Sequence, residues 1–172
     1  MTEAAAAGTI AFQGQPGAYS DLACRRVFPA MTTLPCAAFE DAFAAVREGR
    51  AGLAMIPIEN SVAGRVADIH HLMPDSGLFI IGEHFERVNH HLLGLPGSKL
   101  GTIRTVRSHV HALSQCRNFI RAHGLVPVVA ADTAGSAAEI KERDDKSIGA
   151  IASELAGQIY GLVSLAENIE DA

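Results

Sequence analysis

Pro57-Ile58-Glu59-Asn60-Ser61 follows directly on the apolar run Leu53-Ala54-Met55-Ile56. Four apolar residues closed by a proline read as a buried strand, Leu53 to Pro57, that stops abruptly. A carboxylate, an amide and a hydroxyl come next, then Val62-Ala63-Gly64. Open α/β folds place ligands where strands leave the sheet. Asn60 and Ser61 can each donate and accept hydrogen bonds, which suits a small oxygen-rich ligand. A plain polar loop accounts for the same residues equally well.

Upstream of this junction the pattern is β-α-β-α. Thr9 to Phe12 is a short apolar strand that runs into Gln13-Gly14-Gln15-Pro16-Gly17-Ala18-Tyr19-Ser20. A helix follows with Tyr19, Leu22, Ala23 and Val27 on one face. The loop can cradle an anion with backbone N–H groups or serve as a plain turn. It lacks the lysine of a Walker loop and the third glycine of a dinucleotide fingerprint. Leu34 to Ala37 reads as a strand, and Phe39, Ala42, Phe43 and Val46 fall at helical spacing before Gly49. With strand 53–57 this is β-α-β-α-β, the sign of a largely parallel sheet.

Downstream, Arg65 to Met73 reads as a helix, and Leu78 to Ile81 and Val88 to Leu95 as strands, with a subdomain crossing between Ile81 and Val88. Ile103 to Val106 is a strand, and Ser108 is placed to cap one helix bearing the stripe Leu113, Cys116, Ile120 up to Gly124. Val126 to Ala130 is a strand whose Pro127 places it near a sheet edge. Asp132-Thr133 caps the next helix, and Glu142 to Lys146 is a solvated turn. Ser147 to Ala152, Glu154 to Tyr160 and Leu162 to Leu165 read as strand, helix and strand. Two alternating α/β halves imply two lobes with a cleft between them.

Composition narrows the function. The chain has 172 residues, 48% of them hydrophobic, with no tryptophan, so small aliphatic side chains must fill the core. Net charge is −5, from 14 basic and 19 acidic residues, which argues against nucleic acid or an acidic membrane surface as partner. No apolar run is long enough to span a bilayer. Residues 1–8 carry no basic residue and no long apolar core, and read as a frayed leader. Cys24, Cys36 and Cys116 are odd in number and widely spaced, which fits structural thiols in a reduced, cytoplasmic protein.

The histidines His70-His71, His90-His91, His109 and His111, with His84 and His123, do not suggest a metal. Neighbours on a strand point to opposite faces, and on a helix they diverge by roughly 100°. Cys116 and His109 stand seven residues apart, too far along one helix for direct activation. The helix starts at Ser108-His109 and at Asp132-Thr133-Ala134-Gly135-Ser136 are more informative. Free N–H groups and a partial positive charge there favour carboxylates, although Ser and Asp are also ordinary caps. Gly135 within a first helical turn costs about 1 kcal/mol, a cost that close approach of a ligand would justify.

Taken together, these segments resemble the catalytic domain of prephenate dehydratases. The resemblance runs in order through Phe12–Ser20, Pro57–Gly64, Ser108-His109 with Ala112-Leu113-x-Gln115-Cys116, and Asp132–Ala137. It continues through Ala150–Ser153 with Tyr160-Gly161-Leu162, and Glu167-Asn168-Ile169-Glu170-Asp171. It implies an α/β, two-lobed fold like the type II periplasmic binding proteins, each lobe a mostly parallel sheet flanked by helices. Lobe 1 would take residues 9–81 plus a C-terminal return, and lobe 2 residues 88–165, with the active site in the interlobe cleft.

The implied reaction converts prephenate to phenylpyruvate, water and carbon dioxide in phenylalanine biosynthesis. Arogenate as substrate, and a non-catalytic binding module of the same fold, are the competing readings. The implied catalytic residues are Asn60, Ser61 and Glu59, the last either a general acid or an acceptor that fixes its loop. Ser108, His109, Gln115, Thr133, Ala134, Gly135 and Ser136 would bind substrate, the helix start at 133–136 holding a carboxylate. No metal or cofactor is implied, and the partner expected besides substrate is a second copy, as a dimer or higher oligomer. The family continues into an Asn-x-Thr-Arg-Phe segment, whose threonine supplies a hydroxyl, and then an ACT-type regulatory domain. Neither lies within residues 1–172, so the expectation is a truncated chain of impaired activity.

Overall fold

The structure is a computed structural model that describes residues 8–61 and 64–171. Most of the expected leader, and Val62 and Ala63 of the central motif, lie outside the described residues. The chain divides into two compact units. Unit 1 holds the chain up to Gln15 together with Tyr19–Glu86, and unit 2 holds Pro16–Ala18 with Arg87–Ala172.

In unit 1 a three-stranded sheet has the order β2-β1-β3, from β1 (Thr9–Gln13), β2 (Thr32–Cys36) and β3 (Leu53–Met55). Both pairings are parallel, with Ala11 opposite Leu34 on one side and Ala54 on the other. Ile10, Ala11 and Phe12 are buried because β1 has neighbours on both edges and is covered on both faces. Two helices, α1 (Tyr19–Val27) and α2 (Phe39–Arg47), make the crossovers. From α2, Ala42 and Ala45 pack with Ala11, Cys36 and Ala51. Gly49, at φ 69°, turns the chain after α2. On α1 the buried carboxylate of Asp21 accepts a hydrogen bond from Arg25 at 2.9 Å.

The junction around Pro57 departs from expectation. The strand ends at Met55, and Glu59–Asn60 (β4) pairs antiparallel with Gly64–Arg65 (β5) as a small ribbon. Helix α3 is shorter than expected, Ala67–Leu72. The strand expected at Leu78 to Ile81 is absent, since residues 77–90 have no regular secondary structure. Phe79, Ile80 and Ile81 are 89%, 71% and 77% exposed, so an apolar run that reads as core lies on the surface. The far end of this segment is held by Glu86, which pairs with Arg26 and His84.

Unit 2 is built on a five-stranded sheet of order β10-β6-β9-β7-β8. Its strands are β6 (His91–Gly94), β7 (Thr105–Ser108), β8 (Val126–Val129), β9 (Ile148–Ala152) and β10 (Val163–Ala166). β7 is parallel to β8 and β9, whereas β6 is antiparallel to β9 and β10, so this sheet is mixed. Its side chains alternate between two cores. Leu92, Val106 and Ile151 pack with Leu113, Cys116 and Ile120 on one face. Leu93, Ala150 and Ala152 pack with Ala134, Ala137, Ile140 and Ala156 on the other. β8 is an edge strand, as Pro127 implied. Val126 N–H donates to Arg104 O, just before β7, and Ala130 N–H to Ser108 O in β7, so the alternating position, Pro127, needs no inward N–H.

The single helix expected from Ser108 is two, α4 (Val110–Gln115) and α5 (Arg117–Ala122), broken at Cys116. Cys116 N–H still donates to Ala112 O, and its carbonyl accepts from Ile120 N–H, so the stripe Leu113, Cys116, Ile120 stays on the core side. Helix α6 (Thr133–Arg143) continues into the charged stretch expected to be a turn, and ends at Asp144 in the left-handed region. Helix α7 (Glu154–Tyr160) closes at Gly161, φ 68°.

Residues 16–18 explain one glycine of the N-terminal loop. Ser153 Oγ donates to Gly17 O at 2.6 Å, and Tyr160 OH donates to Pro16 O at 2.9 Å. Gly17 has φ +90°, and a Cβ there would lie 2.7 Å from Ala156 Cα. Gly17→Ala is therefore expected to lower stability by about 1–3 kcal/mol, read as a lower urea midpoint with an unchanged m-value.

The three thiols are buried and free. Burial, and then the Asp21 carboxylate, push Cys24 up to about 12. Burial, then Glu170 and Asp171, push Cys116 up to about 12, and burial raises Cys36. Ellman's reagent at pH 8 is expected to label none of the three in the folded chain and all of them in guanidinium. Prompt labelling of Cys24 or Cys116 would contradict this core.

Candidate active site

The candidate residues fall into two sets. Glu59, Asn60 and Ser61 belong to unit 1, on the β4–β5 ribbon. Glu59 and Ser61 are exposed and Asn60 is half-buried. Glu59 pairs through its backbone with Arg65, and Asn60 with Gly64. The expected loop is thus a braced strand end, and its side chains project from a paired backbone.

The second set lies in unit 2, at the carboxyl ends of β7, β8 and β9. These strands are parallel, so all three deliver the start of a helix to the same end of the sheet. The caps are His109 for α4, Asp132 for α6 and Ser153 for α7.

Ser108 was expected to cap α4 and does not. It remains in the strand opposite Val129, fully buried, and its Oγ donates to Ile151 O at 2.6 Å. His109 takes the cap position, and its Nδ1 accepts from His111 N–H at 3.3 Å. A neutral ring whose Nδ1 accepts carries its proton on Nε2. Burial, then the adjacent His111, hold His109 below the usual histidine value, while the Asp132 carboxylate pulls the other way.

Asp132 occupies the α6 start that sequence reasoning reserved for a ligand carboxylate. Its Oδ1 accepts from Gly135 N–H at 2.6 Å, and its carbonyl accepts from Ser136 Oγ at 2.7 Å. A Cβ at Gly135 would lie 2.7 Å from Asp132 Oδ2. A group that comes close to Gly135 is thus the protein's own cap. Thr133 is half-buried at this start, while Ala134 and Ser136 are buried.

Gln115 sits at the far end of α4, about 9 Å along the axis from its start. Its Oε1 accepts from His90 Nε2–H at 2.8 Å. His90 and Ser153 are polar residues that stand beside these groups and that the sequence reading did not place there. For Ser153 the signal was present, a hydroxyl at the end of a buried strand just before a helix. For His90 there was none, because its partner is 25 residues away. The paired histidines diverge as strand geometry requires: His90 meets Gln115, and His91 meets Ser164 Oγ at 3.0 Å. Among the described residues no group of three His, Cys, Asp or Glu is arranged to hold a metal, and no helix is long and apolar enough to cross a membrane.

The arrangement defines a class first: an α/β protein of the periplasmic-binding-protein-like fold, with polar side chains at the carboxyl ends of parallel strands. The family model for prephenate dehydratase matches residues 10–172, and the chain belongs to that family. It is 56% identical over 163 residues to a bifunctional N-acyl-homoserine lactone acylase/prephenate dehydratase of Komagataeibacter europaeus, covering 95% of this chain and 58% of that protein. It is 45% identical to arogenate dehydratase/prephenate dehydratase 1 of Arabidopsis thaliana, over 94% of this chain and 41% of that one. Among solved structures, prephenate dehydratase from Arthrobacter aurescens in complex with L-Phe superposes with a TM-score of 0.87 at 34% identity. That match covers 95% of this chain and 56% of the other. The chain thus spans roughly half the length of these relatives.

One consequence is a pH dependence of stability. Burial, as the leading cause, holds His90 below the ordinary histidine value of 6.5. An unfolded chain then takes up this proton before the folded one does. The His90 contribution is complete above about pH 6.5 and is lost as pH falls from there through the lower folded value. Urea midpoints are expected to drop between pH 7 and pH 5, and to drop less in His90→Gln.

Proposed function

We propose that this domain carries out the decarboxylating dehydration of prephenate to phenylpyruvate. The observation that carries the reading is the family match over residues 10–172, with the unit 2 motif residues gathered at one end of the sheet. Prephenate bears two carboxylates and a ring hydroxyl, and losing hydroxide with carbon dioxide makes the ring aromatic. The protein must hydrogen-bond or protonate the leaving hydroxyl. It must also hold the pyruvyl carboxylate while leaving the ring carboxylate poorly solvated, because solvation resists decarboxylation.

In this reading Asn60 and Ser61 contact the substrate, with Glu59 as general acid or as the acceptor that fixes the ribbon. The Nε2–H of His109 and the amide of Gln115 supply donors in unit 2. Thr133 and the first turn of α6 supply further donors. Two relatives, named for arogenate and for N-acyl-homoserine lactone chemistry, favour alternatives worth a parallel tube each, arogenate and an N-acyl-homoserine lactone.

Phenylpyruvate formation from prephenate is expected to exceed phenylalanine formation from arogenate and lactone deacylation. Prephenate binding without turnover calls for appending an Asn-x-Thr-Arg-Phe segment, after which turnover is expected. No prephenate binding in either form would sink the reading. In an active form, Asn60→Ala is expected to lower kcat at least about a hundredfold, with folding unchanged by circular dichroism.

A further inference from the structure

Four separate pieces of chain are joined through His90 and Gln115. The ring of His90 is buried, one residue before β6. Its backbone N–H donates to Glu170 Oε2 at 2.8 Å, and its carbonyl accepts from Ile169 N–H. The carbonyl of Gln115 accepts from Asp171 N–H. The Asp171 carboxylate accepts from Asn118 N–H at 3.1 Å, on a helix, α5, that has no side-chain cap of its own. The stretch 169–171 is therefore a strap that fixes the backbones on both sides of the His90–Gln115 bond.

That bond has a directional consequence. The Gln115 carbonyl oxygen is taken by His90 Nε2–H. An amide oxygen and its NH2 point to opposite sides of one planar group. Gln115 is half-buried, and its NH2 has no partner among the described residues. We propose that His90 is a positioning residue: by holding the Gln115 oxygen toward the core, it turns the Gln115 NH2 outward as a pair of donors for an oxygen of the substrate. The substrate clause rests on the prephenate dehydratase reading.

The first test needs no mutation. Long-range proton–nitrogen correlation spectra of the 172-residue chain at pH 7.5 are expected to show His90 neutral with its proton on Nε2. A proton on Nδ1 would mean that Gln115 spends its NH2 on His90, and the proposal would be overturned. The second test is calorimetric titration with prephenate. His90→Leu is expected to weaken binding about tenfold or more, the loss of one hydrogen bond to a charged group, and Gln115→Leu similarly. The double variant is expected to bind no worse than Gln115→Leu, and His90→Gln, which keeps a donor, to stay within about threefold of the parent. Additive losses, or undiminished binding by His90→Leu, would overturn the proposal. Should His90→Leu not fold, His90→Gln and the spectrum decide. If the unaltered chain binds no prephenate, the functional reading falls, while the spectrum still judges the His90–Gln115 pair.

Discussion

Burial of β9 on both faces is the constraint on which unit 2 depends. Ile151 enters one core, and Ala150 and Ala152 enter the other. A strand in that position can only be covered by helices above and below. Because β9, β7 and β8 run parallel, each must be followed by a helix that starts at the same end of the sheet. The clustering of His109, Asp132 and Ser153 follows from this topology before any question of ligand arises.

Those helix starts also bring backbone N–H groups that must be satisfied. The protein meets most of the demand itself. Asp132 bonds Gly135, Ser153 bonds Ala156, and His109 bonds His111. A residue that looks like a ligand-binding group in the sequence can thus be a cap in the fold. Two polar side chains of this unit have one end anchored, His109 through Nδ1 and Gln115 through Oε1. Anchoring one end of a polar side chain gives the other end a direction at little further entropic cost, which is how sites gain preorganisation.

Much of this was legible beforehand. The parallel strand–helix alternation, the edge position of β8, the Asp132 cap and the core stripe Leu113, Cys116, Ile120 all follow from local periodicity and turn chemistry. The departures share a cause. Ser108 reads as a cap, but its hydroxyl goes to Ile151 O, 43 residues away. Gly135 reads as a point of ligand approach, and in the fold it also makes room for Asp132. Phe79–Ile81 reads as a strand because its residues favour burial, yet among the described residues no strand pairs with it. In each case a local preference is overridden or redirected by a neighbour that sequence distance conceals.

By itself the sequence determined the α/β class, the order of elements and the family, because these rest on period, punctuation and short ordered motifs that need no knowledge of distant contacts. Only the tertiary structure decided the mixed pairing of β6, the burial of Ser108, the directional bond from His90 to Gln115 and the strap formed by Ile169, Glu170 and Asp171. All of these are hydrogen bonds across long sequence separations. A polar side chain carries no record in the sequence of which partner it will meet, so its direction is fixed only when packing brings that partner within 3 Å or so.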